Sequence, residues 1–584
     1  SRIMTSSKAA GEEDARVSRR ARCRSIDGLE DPLKKGFHDN VRKGAMLGLI
    51  QDWPLLVSSL IRHADRHHGA VEIVTRTLEG PIHRYTIRDA HARARKLANA
   101  LTRLGVGRGD RIATLAWNTH RHFEFYYGVS GMGAVCHIIN PRLFHEQIAY
   151  IINHAEDRYV FFDACFAPLV ETLRPRCAGV KGWIAFADRA RMAELGAALC
   201  YEELLAAESD AFDWPSFDER LASSLCYSSG TTGSPKGALY AHRSTILHAY
   251  GIALPDTFGL SARDVISPVV PMFHVNAWGL PYAAMLVGAK LVFPGAALDG
   301  KSLYELFEAE QVTFSAGVPT VWLSLLRYLE ESGARLSSLR RVVIGGSAAP
   351  PAMIEAFEKG HGVEVIHAWG MTEMSPLGTT AQLKAKHRAA SPAAILALKG
   401  RQGRAIPGVD MKIVDGEGQE LPWDGTAFGD LMVRGWWVAS AYFKSEERSI
   451  LRDGWFQTGD VATIDADGYM KITDRSKDVI KSGGEWISSI ELENIAVAHP
   501  AVAEAAVIGV AHAKWGERPL LIVQPKAGIR LGRGELLAFY RGKVAPWWVP
   551  DDAVFVEALP HTATGKLLKT KLRARYKGYR LPEA

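Results

Sequence analysis

At 584 residues the chain exceeds what one hydrophobic core usually serves, so two or more domains are expected. Hydrophobic residues at 47% and charged residues at 23% are ordinary globular usage and exclude a collagen-like or broadly low-complexity chain. The formal charge of +6, from 70 basic against 64 acidic residues, is a slight excess over a long chain, and much of it sits near the start.

Residues 15–43 are rich in Arg and Lys, with Arg16, Arg19, Arg20, Arg22 and Arg24 close together, within an expected extension over residues 1–45. No aromatic residues interleave with these arginines, as single-strand binding would want, and the segment reads as a solvated, disordered extension rather than a nucleic-acid or membrane patch. Glu12, Glu13 and Asp14, with no apolar core segment, argue against a secretory signal, and Met46 is a candidate start. The six cysteines contain no Cys-x-x-Cys pair, which indicates neither zinc nor a disulfide framework and fits a reducing, cytoplasmic compartment. The richest apolar stretch, Phe123 to Asn140, is broken by glycines, so no membrane span is expected.

From Leu47 onward, amphipathic helices alternate with short apolar strands. A helix over Arg88–Leu104 precedes a strand over Arg111–Trp117, and further strands are predicted at Tyr159–Asp163, Val265–Val270, Lys290–Phe293 and Arg341–Ile344. That rhythm predicts an α/β fold: a large domain of mixed β-sheets packed with helices over 46–474. The charged run Asp474-Arg-Ser-Lys-Asp478 opens a small α+β domain over 475–584, with a helix at Ser489–His499, strands at Ala503–Val510 and Leu520–Gln524, and a helix at Gly534–Val544.

Between the apolar Leu225-Cys226-Tyr227 and a helix-like run from His242 lies Tyr227-Ser-Ser-Gly-Thr-Thr-Gly-Ser-Pro-Lys-Gly237. Glycines admit backbone N–H groups to phosphate oxygens, hydroxyls donate, and the lysine adds a point charge, so the loop suits a triphosphate. The Walker register fails because Lys236 stands between Pro235 and Gly237. Taken alone, such a run also reads as a flexible surface linker.

The loop and the motifs after it resemble, over about residues 50–575, the superfamily of acyl-CoA synthetases, peptide-synthetase adenylation domains and beetle luciferases. The resemblance implies an ATP-dependent ligase that joins a carboxylic acid to AMP with pyrophosphate release and then passes the acyl group to a thiol, with ATP, Mg2+ and coenzyme A as cofactors and no nucleic-acid partner. It places Ser228, Ser229, Gly230, Thr231, Thr232, Gly233 and Lys236 on the phosphates.

His367-Ala-Trp-Gly-Met-Thr-Glu373 looks like the family's aromatic-Gly-x-Thr-Glu motif, which implies Trp369, Gly370 and Met371 beside adenine, Thr372 on phosphate and Glu373 on magnesium. Carboxylate oxygen is the hard donor magnesium prefers. Trp369 stands where tyrosine is commoner, keeping the stacking surface without the phenol hydroxyl. Gly346, Ser347 and Ala348 resemble the adenine-side wall, although a helix-initiating turn reads the same. Asp460 in Gly454-Trp-Phe-Gln-Thr-Gly-Asp460, together with Arg475, matches the ribose contacts. Pro560-His-Thr-Ala-Thr-Gly-Lys566 resembles the segment whose lysine serves adenylation. The attacking carboxylate needs no base, so catalysis there is charge stabilisation. Alone, Glu373, Asp460 and Lys566 would read as ordinary solvated or turn residues.

For the second half-reaction the resemblance implies rotation of a mobile C-terminal domain about Lys477, with Ser482, Gly483, Gly484, Glu485 and Trp486 lining the coenzyme A tunnel. A carrier-protein thiol would use the same tunnel. An enzyme loading a carrier protein, an oxidative enzyme of luciferase type, and a non-catalytic nucleotide or acyl binder are the competing readings.

Pro271-Met-Phe-His-Val-Asn-Ala-Trp-Gly279 corresponds to the motif beside the acyl pocket, which Trp278, Val318, Pro319 and Gly346 would line. On a helix, His274 and Trp278 at a spacing of four would both face the substrate. His274 would gate the tunnel or help the thiol lose its proton, unless it is a satisfied core histidine. The motif set looks closest to medium-chain acyl and 3-methylmercaptopropionyl ligases, and a bulky Trp278 suits short or medium chains. A homodimer is expected.

Overall fold

The computed structural model describes residues 48–228, 235–482, 485–561 and 567–582, with Glu485 and Trp486 described by backbone alone. Residues 48–53 belong to a separate unit, Ser1–Trp53, and everything below concerns Pro54–Ala584. Among the described residues the strands form four sheets, of nine, seven, five and five strands.

The nine-stranded sheet has a parallel centre in which Lys290–Phe293, Val265–Pro268, Phe314–Gly317, Arg341–Ile344 and Glu364–Gly370 lie side by side. These strands are short, almost wholly apolar and buried, as a sheet covered on both faces requires. In the seven-stranded sheet, Arg111–Leu115 sits between Val135–Ile138 and Tyr159–Asp163, again in parallel. The expected helix runs from Ile87 to Arg103. Thr86 starts it by accepting the Asp89 N–H while the Asp89 carboxylate accepts the Thr86 N–H, a reciprocal cap. A strand, Gly237–Ala241, fills the stretch that the sequence pattern leaves unassigned between the loop and the helix-like run from His242. Ala222–Tyr227 and Gly237–Ala241 pair antiparallel, so the loop joins a hairpin before the helix His242–Ala253.

The C-terminal sheet comprises Ile480–Ser482, Glu485–Ile487, Val502–His512, Gly516–Pro525 and Asp552–Phe555. It has its own apolar packing on both faces: Ile480, Leu492, Val507, Leu521 and Tyr540 on one, Ile508, Leu520, Ile522 and Leu572 on the other. The helix expected over Gly534–Val544 is shorter, Arg533–Ala538. Gly542 adopts φ 73° and Pro546 follows, so the backbone turns before the pattern ends. No described helix is long and apolar enough to cross a membrane.

Candidate active site

In open parallel sheets, ligands bind beyond the carboxyl ends of the strands. The candidate residues gather there. Trp278 follows the strand Val265–Pro268, Val318 and Pro319 follow Phe314–Gly317, Gly346 follows Arg341–Ile344, and Thr372 and Glu373 follow Glu364–Gly370.

At one end of this row the buried carboxylate of Asp460 joins two other predicted residues. Its Oδ2 accepts the Trp369 indole N–H at 3.0 Å, and its Oδ1 lies 2.8 Å from Arg475 Nε. The ladder explains this, because Asp460 and Arg475 are cross-strand partners. Gly370 sits at a register shift where a Cβ would lie 1.9 Å from the Pro376 carbonyl oxygen, so no side chain fits. The Ser375–Pro376 peptide is cis.

Glu373 is buried, and its Oε1 accepts the Tyr442 hydroxyl at 2.7 Å. The Lys236 ammonium lies 4.8 Å from the centroid of the Tyr442 ring, a cation–π approach. One phenol thus connects the lysine at the foot of the phosphate hairpin with the carboxylate of the aromatic-Gly-x-Thr-Glu motif. Burial and the neighbouring Glu373 push the Tyr442 hydroxyl well above its ordinary pKa, so it stays a donor. Tyr240, in the second hairpin strand, donates to the Thr372 carbonyl at 2.5 Å. Ser228 N–H donates to the Lys236 carbonyl at 2.9 Å and closes the hairpin base. Neither Tyr240 nor Tyr442 stands in a recognisable motif, and only the fold brings them to the site.

The acyl side corrects one expectation. Val275, Asn276, Ala277 and Trp278 do not continue a right-handed helix. All four have positive φ, from 48° to 56°, so a spacing of four does not set His274 and Trp278 on one helical face. Each left-handed non-glycine residue costs about 1–2 kcal/mol, and the surroundings must hold the turn. Asn276 Nδ2 donates to Ser224 Oγ at 2.9 Å, and Gly279 closes the turn where a Cβ would come within 2.7 Å of His248 Nδ1. Trp278 is buried, and its ring lies 3.0 Å from where a Cβ on Gly345 would stand. A Cβ on Gly346 would meet Val318 Cγ1 at 3.2 Å. Trp278, Val318 and Gly346 are therefore neighbours, and His274, half-buried, precedes them.

Pro319 begins the helix Pro319–Ser332 next to Val318. Ser347 and Ala348 are exposed in the turn after Arg341–Ile344, which is anchored where Ala349 N–H donates to His367 Nε2 at 3.2 Å. Lys477 is exposed, and Ser482 is buried. Ser229, Gly230, Thr231, Thr232, Gly233, Gly483, Gly484 and Lys566, with the side chains of Glu485 and Trp486, lie outside the described residues. Among the described residues no three His, Cys, Asp or Glu side chains form a group that could hold a metal ion.

A hairpin that carries Lys236, a buried carboxylate on an antiparallel strand braced by an aromatic and an arginine, and a second buried carboxylate beyond the carboxyl end of Glu364–Gly370 make up the site of an α/β protein. The comparisons give the family. Residues 60–443 match the AMP-binding enzyme model and residues 491–566 its C-terminal domain. The chain belongs to the AMP-binding enzyme family. It is 54% identical to the 3-methylmercaptopropionyl-CoA ligase of Ruegeria lacuscaerulensis, across 91% of this chain and 99% of that protein. It is 53% identical to the medium-chain-fatty-acid–CoA ligase of Ectopseudomonas oleovorans, across 91% and 98%. The crystal structure of an anthranilate CoA ligase in complex with anthranoyl-AMP superposes with a TM-score of 0.78 at 27% identity, across 90% of this chain and 98% of that one.

Proposed function

We propose that the chain is an AMP-forming acyl-CoA ligase acting on a short- or medium-chain carboxylic acid, with 3-methylmercaptopropionate as one candidate. The observation that carries the reading is the junction of Trp369, Asp460 and Arg475 within a chain related to CoA ligases over nine-tenths of its length. In the first half-reaction an acid oxygen attacks the α-phosphorus of ATP, the bond to the bridging oxygen breaks, and pyrophosphate leaves. The hairpin residues from Ser228 to Lys236 hold the phosphates, Trp369 and the Gly346–Ala348 turn flank adenine, Asp460 and Arg475 hold the ribose, and Lys566 stabilises charge on the reacting phosphate.

Glu373 suits Mg2+ as a lone hard-oxygen ligand, since magnesium is commonly held by one or two carboxylates plus substrate phosphates and water. Once bound it would neutralise phosphate charge. Tyr442 fixes the carboxylate that would hold it.

In the second half-reaction the coenzyme A sulfur attacks the acyl carbonyl and AMP leaves, after the domain from residue 475 onward turns about Lys477. His274 stands beside the acyl pocket to take the thiol proton. The packing of Trp278 against Gly345 and Gly346 favours short or medium chains. A cytoplasmic homodimer completes the proposal.

Incubation with ATP, Mg2+, coenzyme A and straight-chain acids from propionate to dodecanoate, alongside 3-methylmercaptopropionate, should release pyrophosphate and form thioesters. Absence of acid-dependent pyrophosphate release refutes the reading, and light scattering tests the dimer.

A further inference from the structure

Arg518, in the strand Gly516–Pro525, has a side chain only 10% exposed, yet all five of its guanidinium hydrogens find acceptors. Nε faces both oxygens of Asp551 at 3.1 and 2.9 Å, and Nη2 donates to Asp551 Oδ1 at 2.5 Å and to the Val549 carbonyl at 3.2 Å. Nη1 donates to the Trp547 carbonyl at 2.6 Å and to Ser482 Oγ at 3.3 Å. One buried fork therefore joins Ser482, at the end of the strand Ile480–Ser482, to the backbone of Trp547–Val549.

Ser482 ends its strand, laddered to Glu485 on one side and to Gly516 on the other. Ser482–Gly516 is the one pair recorded between those two strands among the described residues. The residue before Arg518 supplies a complementary grip, since Glu517 Oε2 accepts the Lys481 N–H at 3.1 Å. Successive strand side chains point to opposite faces, so Glu517 and Arg518 hold Lys481 and Ser482 from both sides of the sheet. An ion pair with Asp551 alone would account for two of the fork's edges. It does not require the edge that reaches Ser482 and Trp547.

Resting on the reading of Ser482 as part of the coenzyme A passage, we infer that Arg518 is a positioning residue for thioester formation. It fixes Ser482 and the Trp547–Val549 backbone in one arrangement, so that the uncharged pantetheine arm meets a preformed wall. Lysine cannot replace it, because a compact ammonium lacks the planar fork that reaches a carboxylate, a hydroxyl and two carbonyls together.

The full-length enzyme is tested in two assays: acid-dependent ATP–pyrophosphate exchange, and thioester formation from supplied acyl-adenylate as coenzyme A is varied. Arg518→Leu and Arg518→Lys should both raise KM for coenzyme A roughly 10–100-fold, the scale expected of small misplacements in a site, while exchange is unchanged. An unchanged KM, or an equal loss in both assays, overturns the inference. Should the arginine variants fail to fold, Ser482→Ala removes one acceptor and leaves the Asp551 pair intact. It should raise the same KM by a smaller factor, and no rise overturns the inference. Gly484→Leu separates the two levels. If it leaves thioester formation unaltered, the coenzyme A reading of the segment fails. If it blocks transfer while Arg518→Leu does not, the Arg518 inference alone fails.

Discussion

Around Asp460 the side chains hold one another by a hydrogen bond and an ion pair, whereas around Trp278 a left-handed backbone, pinned by Asn276 to Ser224, and the missing side chains of two glycines shape the space. Polar recognition of a nucleotide needs particular atoms at particular places, and those atoms are written in the residue types. An apolar pocket needs volume, and volume depends on where a ring is carried. On the proposed assignment, one end would stay chemically fixed while small changes in packing at the other would change the acid accepted.

The largest effect expected lies at neither end. Lys566→Ala should lower acid-dependent pyrophosphate exchange by about 10²–10³-fold, the usual cost of removing one preorganised charge-stabilising donor. Thioester formation from supplied acyl-adenylate should persist. Equal loss of both steps would remove Lys566 from its assigned role and shift the burden of adenylation to the Asp460 end.

At the acyl end, Gly346→Ala adds a Cβ 3.2 Å from Val318 Cγ1 at a glycine with φ 79°. The pocket should shrink and the turn should strain. Discrimination by one methylene in an apolar pocket is worth roughly 10–200-fold, so kcat/KM for the longest accepted acid should fall within that range while that for propionate falls less. A uniform loss across chain lengths would mean that Gly346 serves the nucleotide end, as its second assignment to the adenine wall allows.

The nucleotide end can be loosened more gently. Trp369→Phe keeps an aromatic face and removes the N–H that Asp460 Oδ2 accepts. A hydrogen bond to a charged group contributes about 1.5–3 kcal/mol, which sets the upper bound on the change, and KM for ATP should rise about tenfold with the acid profile unaltered. A changed acid profile would show that the two ends are not separable.

Much of this contrast is legible in the sequence. Buried strands such as Tyr159–Asp163, Lys290–Phe293 and Arg341–Ile344 fall where short apolar runs between helical patterns put them. Trp369, Asp460 and Arg475 stand in separate motifs; the β-ladder pairs Asp460 with Arg475, and the Trp369 indole reaches Asp460 from another sheet. The left-handed turn at Val275–Trp278 is not legible in the sequence, because none of the four residues is a glycine and only Asn276 is of a type that tolerates positive φ readily. Long-range contacts such as Asn276 to Ser224 enforce it. Tyr442 was missed for a related reason, since its partners Glu373 and Lys236 are distant in sequence.

Acid provides the smallest change per step, and it acts on both ends at once. His367 beside the nucleotide turn and His248 beside the acyl turn are buried and held neutral, with pKa values lowered by burial to about 4 and about 3. Each accepts a backbone N–H at 3.2 Å through Nε2, from Ala349 and Leu377 respectively. Protonation would set two donors face to face. In the unfolded chain both rings take up a proton near the ordinary value of about 6.5, which the native protein refuses until about pH 4 and pH 3. Their contribution to stability is therefore complete above about pH 6.5 and declines as pH falls towards those values, by about 1.4 kcal/mol per pH unit for each ring. Urea midpoints measured from pH 7 to pH 5 should decline accordingly, and His248→Gln, whose amide can still accept from Leu377, should flatten the slope by one ring's share. A slope that His248→Gln leaves unchanged would mean that the acyl turn is not held by a neutral imidazole.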